Sequence, residues 1–127
     1  MQIGQVAART ELSITTVRHY DEVGLVTPSA RSAGGFRLYT AVDVERLLII
    51  RRMKPLGFTL AEMRDLLAAL DTVAHEGSSD REREAAAGFL RECLSKTAQS
   101  ASRLRQHLGY AAELSDLLSA SGTSAGD

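Results

Sequence analysis

The stretch from Thr15 to Tyr39 carries side chains suited to an anionic polymer. Arg18, His19 and Tyr20 occupy consecutive positions of a short helical run that stops at Gly24. Arg31 precedes a Gly34-Gly35 pair, and Phe36, Arg37 and Tyr39 follow it. Guanidiniums fork onto phosphates or onto base edges in a groove, and phenols donate to phosphate oxygens. Nothing else in the chain is equipped in this way. There is no nucleophile–base pairing, phosphate loop, zinc-ligand spacing or carboxylate pair on one face, so neither an enzyme, nor a cofactor, nor a metal site is expected.

These residues need elements to hold them. Gln5 to Thr10 reads as a first helix with Gly4 as its N-cap. Glu11-Leu12-Ser13 is a turn, and Ser13 caps a second helix from Ile14 to about Val23, closed by Gly24. Val6, Ala7, Leu12, Val17 and Leu25 are the apolar set that packs the two together, the outline of a helix-turn-helix. Val26–Pro28 and Phe36–Tyr39 are β-prone runs around the glycine pair, a hairpin signal. Thr40 with Asp43 opens a third helix whose apolar face is Val42, Val44, Leu47, Leu48, Ile50 and Met53, with Pro55 in its last turn and Gly57 at its end. Thr59 with Glu62 opens a fourth, to about Leu70, with Leu60, Met63, Leu66, Leu67 and Leu70 at helical spacing.

Asp71 to Ser78 reads as a loop, and Ser79 with Glu82 opens a long last helix. Along it Leu90, Leu94, Thr97, Ala101, Leu104, Leu108, Ala111, Ser115 and Leu118 alternate by four and three, as a coiled-coil seam does. Fully helical, residues 81–118 would extend roughly 57 Å, which calls for a partner helix. Gly88 and Gly109 each weaken it by about 1 kcal/mol relative to Ala, and Gly109 is a possible break. The organisation expected is a DNA-gripping domain over 1–70, a linker over 71–78, a dimerisation helix over 79–118 and a flexible tail over 119–127.

Composition sets bounds. Of 127 residues, 44% are hydrophobic but only 5% aromatic, so Leu, Val, Ile and Ala must build the core. The net charge of −1 hides an asymmetry: residues 1–58 hold 8 Lys or Arg against 5 Asp or Glu, and residues 59–127 hold 7 against 11. The basic front is the half that would meet an anion. Cys93 is the single cysteine, so no intrachain disulfide forms. The first residues lack the apolar run of a signal peptide, and Leu47–Ile50 is far too short to span a bilayer. A cytoplasmic protein without membrane association is expected.

Taken in order, I-G-Q-V-A (Ile3–Ala7), T-V-R-H-Y-D-E-V-G-L (Thr16–Leu25), Pro28 with Arg31, G-F-R-L-Y (Gly35–Tyr39) and L-G-F-T-L-A-E-M (Leu56–Met63) resemble the MerR family of bacterial transcription regulators. The likeness is specific over about 1–70 and one of pattern over 79–118. It implies a mainly α fold, a winged helix-turn-helix followed by a long helix that pairs into an antiparallel coiled-coil homodimer. It further implies a partner of double-stranded promoter DNA, pseudo-palindromic, whose polymerase hexamers are set too far apart. An effector makes the dimer bend and untwist that DNA for RNA polymerase, at a deformation cost of order several kcal/mol. An architectural DNA-bending or protein-bridging dimer that senses nothing is the other reading.

Each side chain also has a plainer role open to it. Arg18 would contact DNA, or simply pair with Glu22 one turn on. Tyr20 offers its hydroxyl to a phosphate, or packs in the core. Thr15 and Thr16 reach phosphates or bases, or only cap. His19 packs or touches the backbone. By resemblance, Arg37 and Tyr39 reach the flanking phosphates, with Arg31 beside them, whereas Phe36 reads as packed on the third helix. Arg51, Arg52 and Lys54 form a basic cluster that touches phosphate, or is only a solvated helix face. Cys93 fits as a small buried residue, with a thiol-reactive sensor as the other role open to it. His75, Glu76, Asp80 and His107 do not follow a metal-ligand spacing. The resemblance implies cysteines near the start of the dimer helix and in a loop after it for metal-sensing members, where this chain reads E-G-S-S-D and S-G-T-S-A-G, and a cysteine cluster for redox members, which a single Cys93 does not supply.

Overall fold

A computed structural model describes residues 1–123. Helix α1 spans Ile3–Thr10 and α2 spans Ile14–Glu22. A two-stranded ribbon follows, β1 at Ala30–Arg31 and β2 at Arg37–Leu38. Then come α3 over Ala41–Met53, a 3₁₀ turn over Lys54–Leu56, α4 over Leu60–Ala74 and α5 over Asp80–Leu118. Two compact units divide the chain, Met1–Leu90 and the part from Arg91 onward.

Local chemistry sets the helix starts. Ser13 accepts the Thr16 N–H at 3.0 Å to begin α2. Reciprocal capping boxes open α3 and α4: Thr40 with Asp43, and Thr59 with Glu62. Ser79 and Glu82 do the same for α5. The N–H and hydroxyl of Ser79 hold the Glu82 carboxyl below its ordinary range. The first helix begins earlier than expected, because the Gln2 N–H donates to the Gln5 side chain at 3.1 Å and Gly4 lies inside the helix.

Val6, Val17, Leu47, Ile50, Met63 and Leu67 are the fully buried centre of the first unit. Burying each such side chain contributes about 1.5–3 kcal/mol. Thr10 is buried with them, its hydroxyl donating to the Val6 carbonyl at 2.8 Å. Arg51 reaches from α3 to the end of α1, donating to the Thr10 carbonyl at 2.6 Å. Arg46 pairs with Asp71 at 2.8 Å to join α3 to α4.

Several expectations need correction. Val26 is core rather than strand, and the ribbon instead pairs Ala30 with Leu38 and Arg31 with Arg37. Pro28 lacks the N–H a ladder uses. Val42 is 61% exposed, so it lies off the packed face of α3, while Asp43 is buried. Pro55 falls after α3, at the start of the 3₁₀ turn. Helix α4 continues through Asp71–Ala74. Two bonds from residues beyond its end support it: the Ser78 hydroxyl donates to the Thr72 carbonyl at 2.8 Å, and Arg83 donates to the carbonyls of His75 and Glu76 just past the helix. Gly109 does not interrupt α5. Past Leu118, residues Ser119–Thr123 form a wide π-type turn. The remainder of the expected tail, 124–127, lies outside the described residues.

From Arg91 onward α5 carries Cys93 and Ser100 as buried side chains. Of the seam, Leu90, Thr97 and Ala101 are partly covered, while Leu94, Leu104, Leu108, Ala111 and Leu118 are exposed. Tyr110, Leu114 and Leu117 are exposed as well. No helix among the described residues is long and apolar enough to cross a membrane.

Candidate nucleic-acid interface

Arg18 stands on α2 with its side chain exposed, and among the described residues it makes no hydrogen bond or ion pair. The helical pairing with Glu22 does not form. Arg18 lines one shallow cleft of about 430 Å³ with Gln2, Ile3, Phe36, Arg37 and Tyr39. This cleft joins the side of α2 to the ribbon. A guanidinium held in water costs nothing to desolvate until a ligand arrives, and an anion is the ligand that two of them favour.

The ribbon concentrates charge further. Arg31 and Arg37 are direct cross-strand partners. Like charges so placed repel and destabilise a ladder. The repulsion is met by local acceptors: Arg31 donates to the Gly35 carbonyl at 3.1 Å, and Arg37 donates to Asp21 Oδ1 at 2.8 Å. Both guanidiniums border a second hollow of about 270 Å³ with Pro28, Ser29 and Ala30. Gly35 has φ +83° at the turn, a conformation that glycine adopts without strain. Phe36 is 69% exposed, not packed on α3 as expected. Its ring lies over Gly34, where an added Cβ would come within 3.2 Å.

Thr15, Thr16, His19 and Tyr20 share a third hollow, about 420 Å³, with Lys54, Leu60 and Met63. The 3₁₀ turn after α3 brings Lys54 to this face, a placement that sequence spacing did not reveal. Thr16 is engaged locally, its Oγ1 at 2.8 Å from the Ser13 hydroxyl that donates to it. Thr15 and His19 are exposed, and the His19 ring centroid lies 5.7 Å from that of Tyr20.

The rings of Tyr20 and Tyr39 are core, at 7% and 3% exposure. Among the described residues neither phenol has a protein partner, and no fully buried side-chain oxygen is left unsatisfied. Both hydroxyls therefore reach solvent at the edge of the core. Burial raises the pKa of each. For Tyr39 the charges of Asp21 and Asp43 push the same way, and those of Arg37 and Arg18 oppose them. Both phenols stay neutral donors through the physiological range.

The sequence-derived residues thus fall on two sides of α2, and Arg37 belongs to two of the three hollows. Arg51, by contrast, is bound to the Thr10 carbonyl and lies 3.6 Å from Glu11, which gives it a structural part. Among the described residues, no three His, Cys, Asp or Glu side chains gather as metal ligands do.

Comparison with known proteins bears on this surface. The family described as MerR HTH family regulatory protein matches residues 1–70, and the one described as MerR, DNA binding matches residues 44–110. The HTH-type transcriptional regulator CueR of Yersinia pestis is 41% identical over 78 residues, 61% of this chain and 56% of that protein. The chain spans about half the length of the curated relatives it matches. The transcription regulator PbrR691 from Ralstonia metallidurans CH34, solved in complex with lead(II), is 33% identical with a TM-score of 0.55, over 92% of this chain and 84% of that one. HiNmlR, described as a MerR family regulator lacking the sensor domain and bound to promoter DNA, shares the fold at a TM-score of 0.69 and 20% identity, over 96% of this chain and 90% of that one.

Proposed function

The chain belongs to the MerR family of helix-turn-helix regulators, and from that membership we propose that it regulates transcription by binding promoter DNA with α2 and the β1–β2 wing. Arg18 enters or borders the major groove. Thr15, Thr16 and His19 meet the backbone or base edges beside it. Arg31 and Arg37, with the hydroxyls of Tyr20 and Tyr39, hold flanking phosphates. The observation that carries this reading is the exposed Arg18 guanidinium sharing a cleft with Arg37, itself opposite Arg31 on the wing. Three cations on one small surface ask for a polyanion.

Two copies join through α5 in this reading, with Leu90, Leu94, Thr97, Ala101, Leu104, Leu108, Ala111 and Leu118 as the seam. An antiparallel pairing fixes the distance between recognition helices, so half-site spacing becomes a property of the dimer. The dimer bends and untwists a promoter with over-long hexamer spacing, in the cytoplasm, for RNA polymerase to use. The reading names no effector.

Selection of duplexes from a random library tests it. One pseudo-palindrome should be enriched, bound ~10³-fold or more above random DNA, with log K falling linearly against log salt. Equal affinity for every sequence would instead mark an architectural protein.

A further inference from the structure

Asp21 sits in the last turn of α2, on the surface assigned to DNA. A carboxylate there repels phosphates, so its presence calls for a reason. Its Oδ1 accepts from Arg37 Nη2 at 2.8 Å, and the Asp21 side chain is 19% exposed against 53% for Arg37. The contact uses a single nitrogen of the guanidinium. A guanidinium has five N–H donors in a rigid fork, so Arg37 keeps donors beyond the one given to Asp21, on a half-exposed side chain that lines the hollows shared with Arg18 and with Arg31.

The turn bearing Asp21 is itself held. Arg64 of α4 donates to the Val23 carbonyl at 3.1 Å. It supplies positive charge at the C-terminal end of a helix whose last residues, Asp21 and Glu22, are both acidic. Such charge is favourable at that pole of the helix dipole. Arginines from the wing and from α4 therefore converge on one turn of α2.

We propose that Asp21 is a positioning residue for DNA binding: it holds the Arg37 guanidinium at a fixed pitch against the recognition helix, so that the outward N–H groups meet a backbone phosphate already oriented. The inference rests on the DNA-binding reading above. Its physical basis is preorganisation, since a long exposed side chain otherwise loses rotamer freedom when it binds. The opposite role is a decoy, with Asp21 occupying Arg37 in the place of phosphate. The two roles differ in sign. Removing the carboxylate weakens binding if Asp21 positions Arg37, and tightens it if Asp21 competes or merely repels DNA.

The test uses the full chain, its selected duplex and a random duplex, with Kd measured by fluorescence anisotropy across a salt series and melting followed in parallel. Asp21→Asn should bind the selected duplex about 3- to 10-fold more weakly, with a salt slope reduced towards that of Arg37→Gln. The double variant should bind no more weakly than Arg37→Gln alone. An Asp21→Asn chain that binds as tightly as the unaltered protein, or more tightly, overturns the proposal, as does full additivity in the double variant. Should Asp21→Asn melt early, Arg37→Lys answers instead. Lysine keeps the charge but cannot fork between carboxylate and phosphate, so it should weaken binding as Arg37→Gln does. Binding by Arg37→Lys equal to that of the unaltered protein overturns the proposal. If the unaltered chain selects no duplex at all, it is the DNA-binding reading that fails.

Discussion

The Asp43 carboxylate accepts the Ser29 N–H at 3.1 Å and the Ser29 hydroxyl at 2.7 Å, so a buried oxygen at the start of α3 fastens the base of the wing. The same Oδ2 accepts the Thr40 N–H at 2.8 Å. Wing placement thus depends on one ionised group. Burial works to raise its pKa, but the hydrogen bonds from Thr40 and Ser29 outweigh that, and the net shift is downward. A depressed folded-state pKa gives stability that is present above the ordinary carboxylate value of ~3.9 and lost as pH falls through the folded value.

Acid melting curves should reflect this. Asp43→Asn is expected to destabilise by about 1–3 kcal/mol at pH 7, because buried donors lose an ionised acceptor. The gap between variant and unaltered protein should narrow below about pH 4, as Asp43 takes up a proton. Thermal denaturation of both proteins from pH 7 to pH 2.5 checks it. A gap constant over that range would mean that the carboxylate charge contributes nothing.

Glu11 turns the chain out of α1 at φ +59°, a left-handed conformation that side chains other than glycine resist. The strain costs about 1–2 kcal/mol. Its 3.6 Å contact with Arg51 is mostly exposed and offsets little. Glu11→Gly is therefore expected to stabilise by roughly 0.5–1 kcal/mol once the added freedom of the unfolded chain is included. Calorimetry should show a higher Tm; a lower one would mean that the Arg51 contact outweighs the strain.

Among the described residues Arg18 has no hydrogen-bond or ion-pair partner to lose. Arg18→Ala should leave Tm unchanged within error and weaken specific DNA binding by about 1–3 kcal/mol. Undiminished affinity for the selected duplex would remove α2 from the role of recognition helix.

Leu104 and Leu108 are 47% and 70% exposed on α5. If a second copy covers them, Leu104→Asp with Leu108→Asp should give monomers by sedimentation equilibrium, with the Met1–Leu90 unit still folded by circular dichroism. A surviving dimer would place the seam elsewhere.

What the residues disclosed in advance was local. The caps at Ser13, Thr40, Thr59 and Ser79 could be read directly, because side chain and backbone N–H lie three residues apart. The cluster of Arg18, Arg31 and Arg37 was legible from composition over one short stretch. Long-range features were not. The ribbon register, Arg31 against Arg37, could not be read from β-propensity, since Leu25 and the β-prone Val26 are buried in the core and lie outside the ribbon. The true end of α4 involves Ser78, in the connection that follows, and Arg83 of α5, both reaching back to carbonyls at or just past that end. Phe36 reads as a core aromatic by type, yet a glycine beneath it gives it a resting place outside. Asp21 is a helix-end acid whose partner, Arg37, lies 16 residues away in sequence.

The account turns on two copies presenting α2 and the wing to one duplex. Hydroxyl-radical footprinting of the full chain on its selected DNA addresses this directly. The expected pattern is two protected half-sites related by a dyad, both lost together with Arg18→Ala while the protein stays folded. A single protected patch, or a footprint that Arg18→Ala leaves intact, would contradict it.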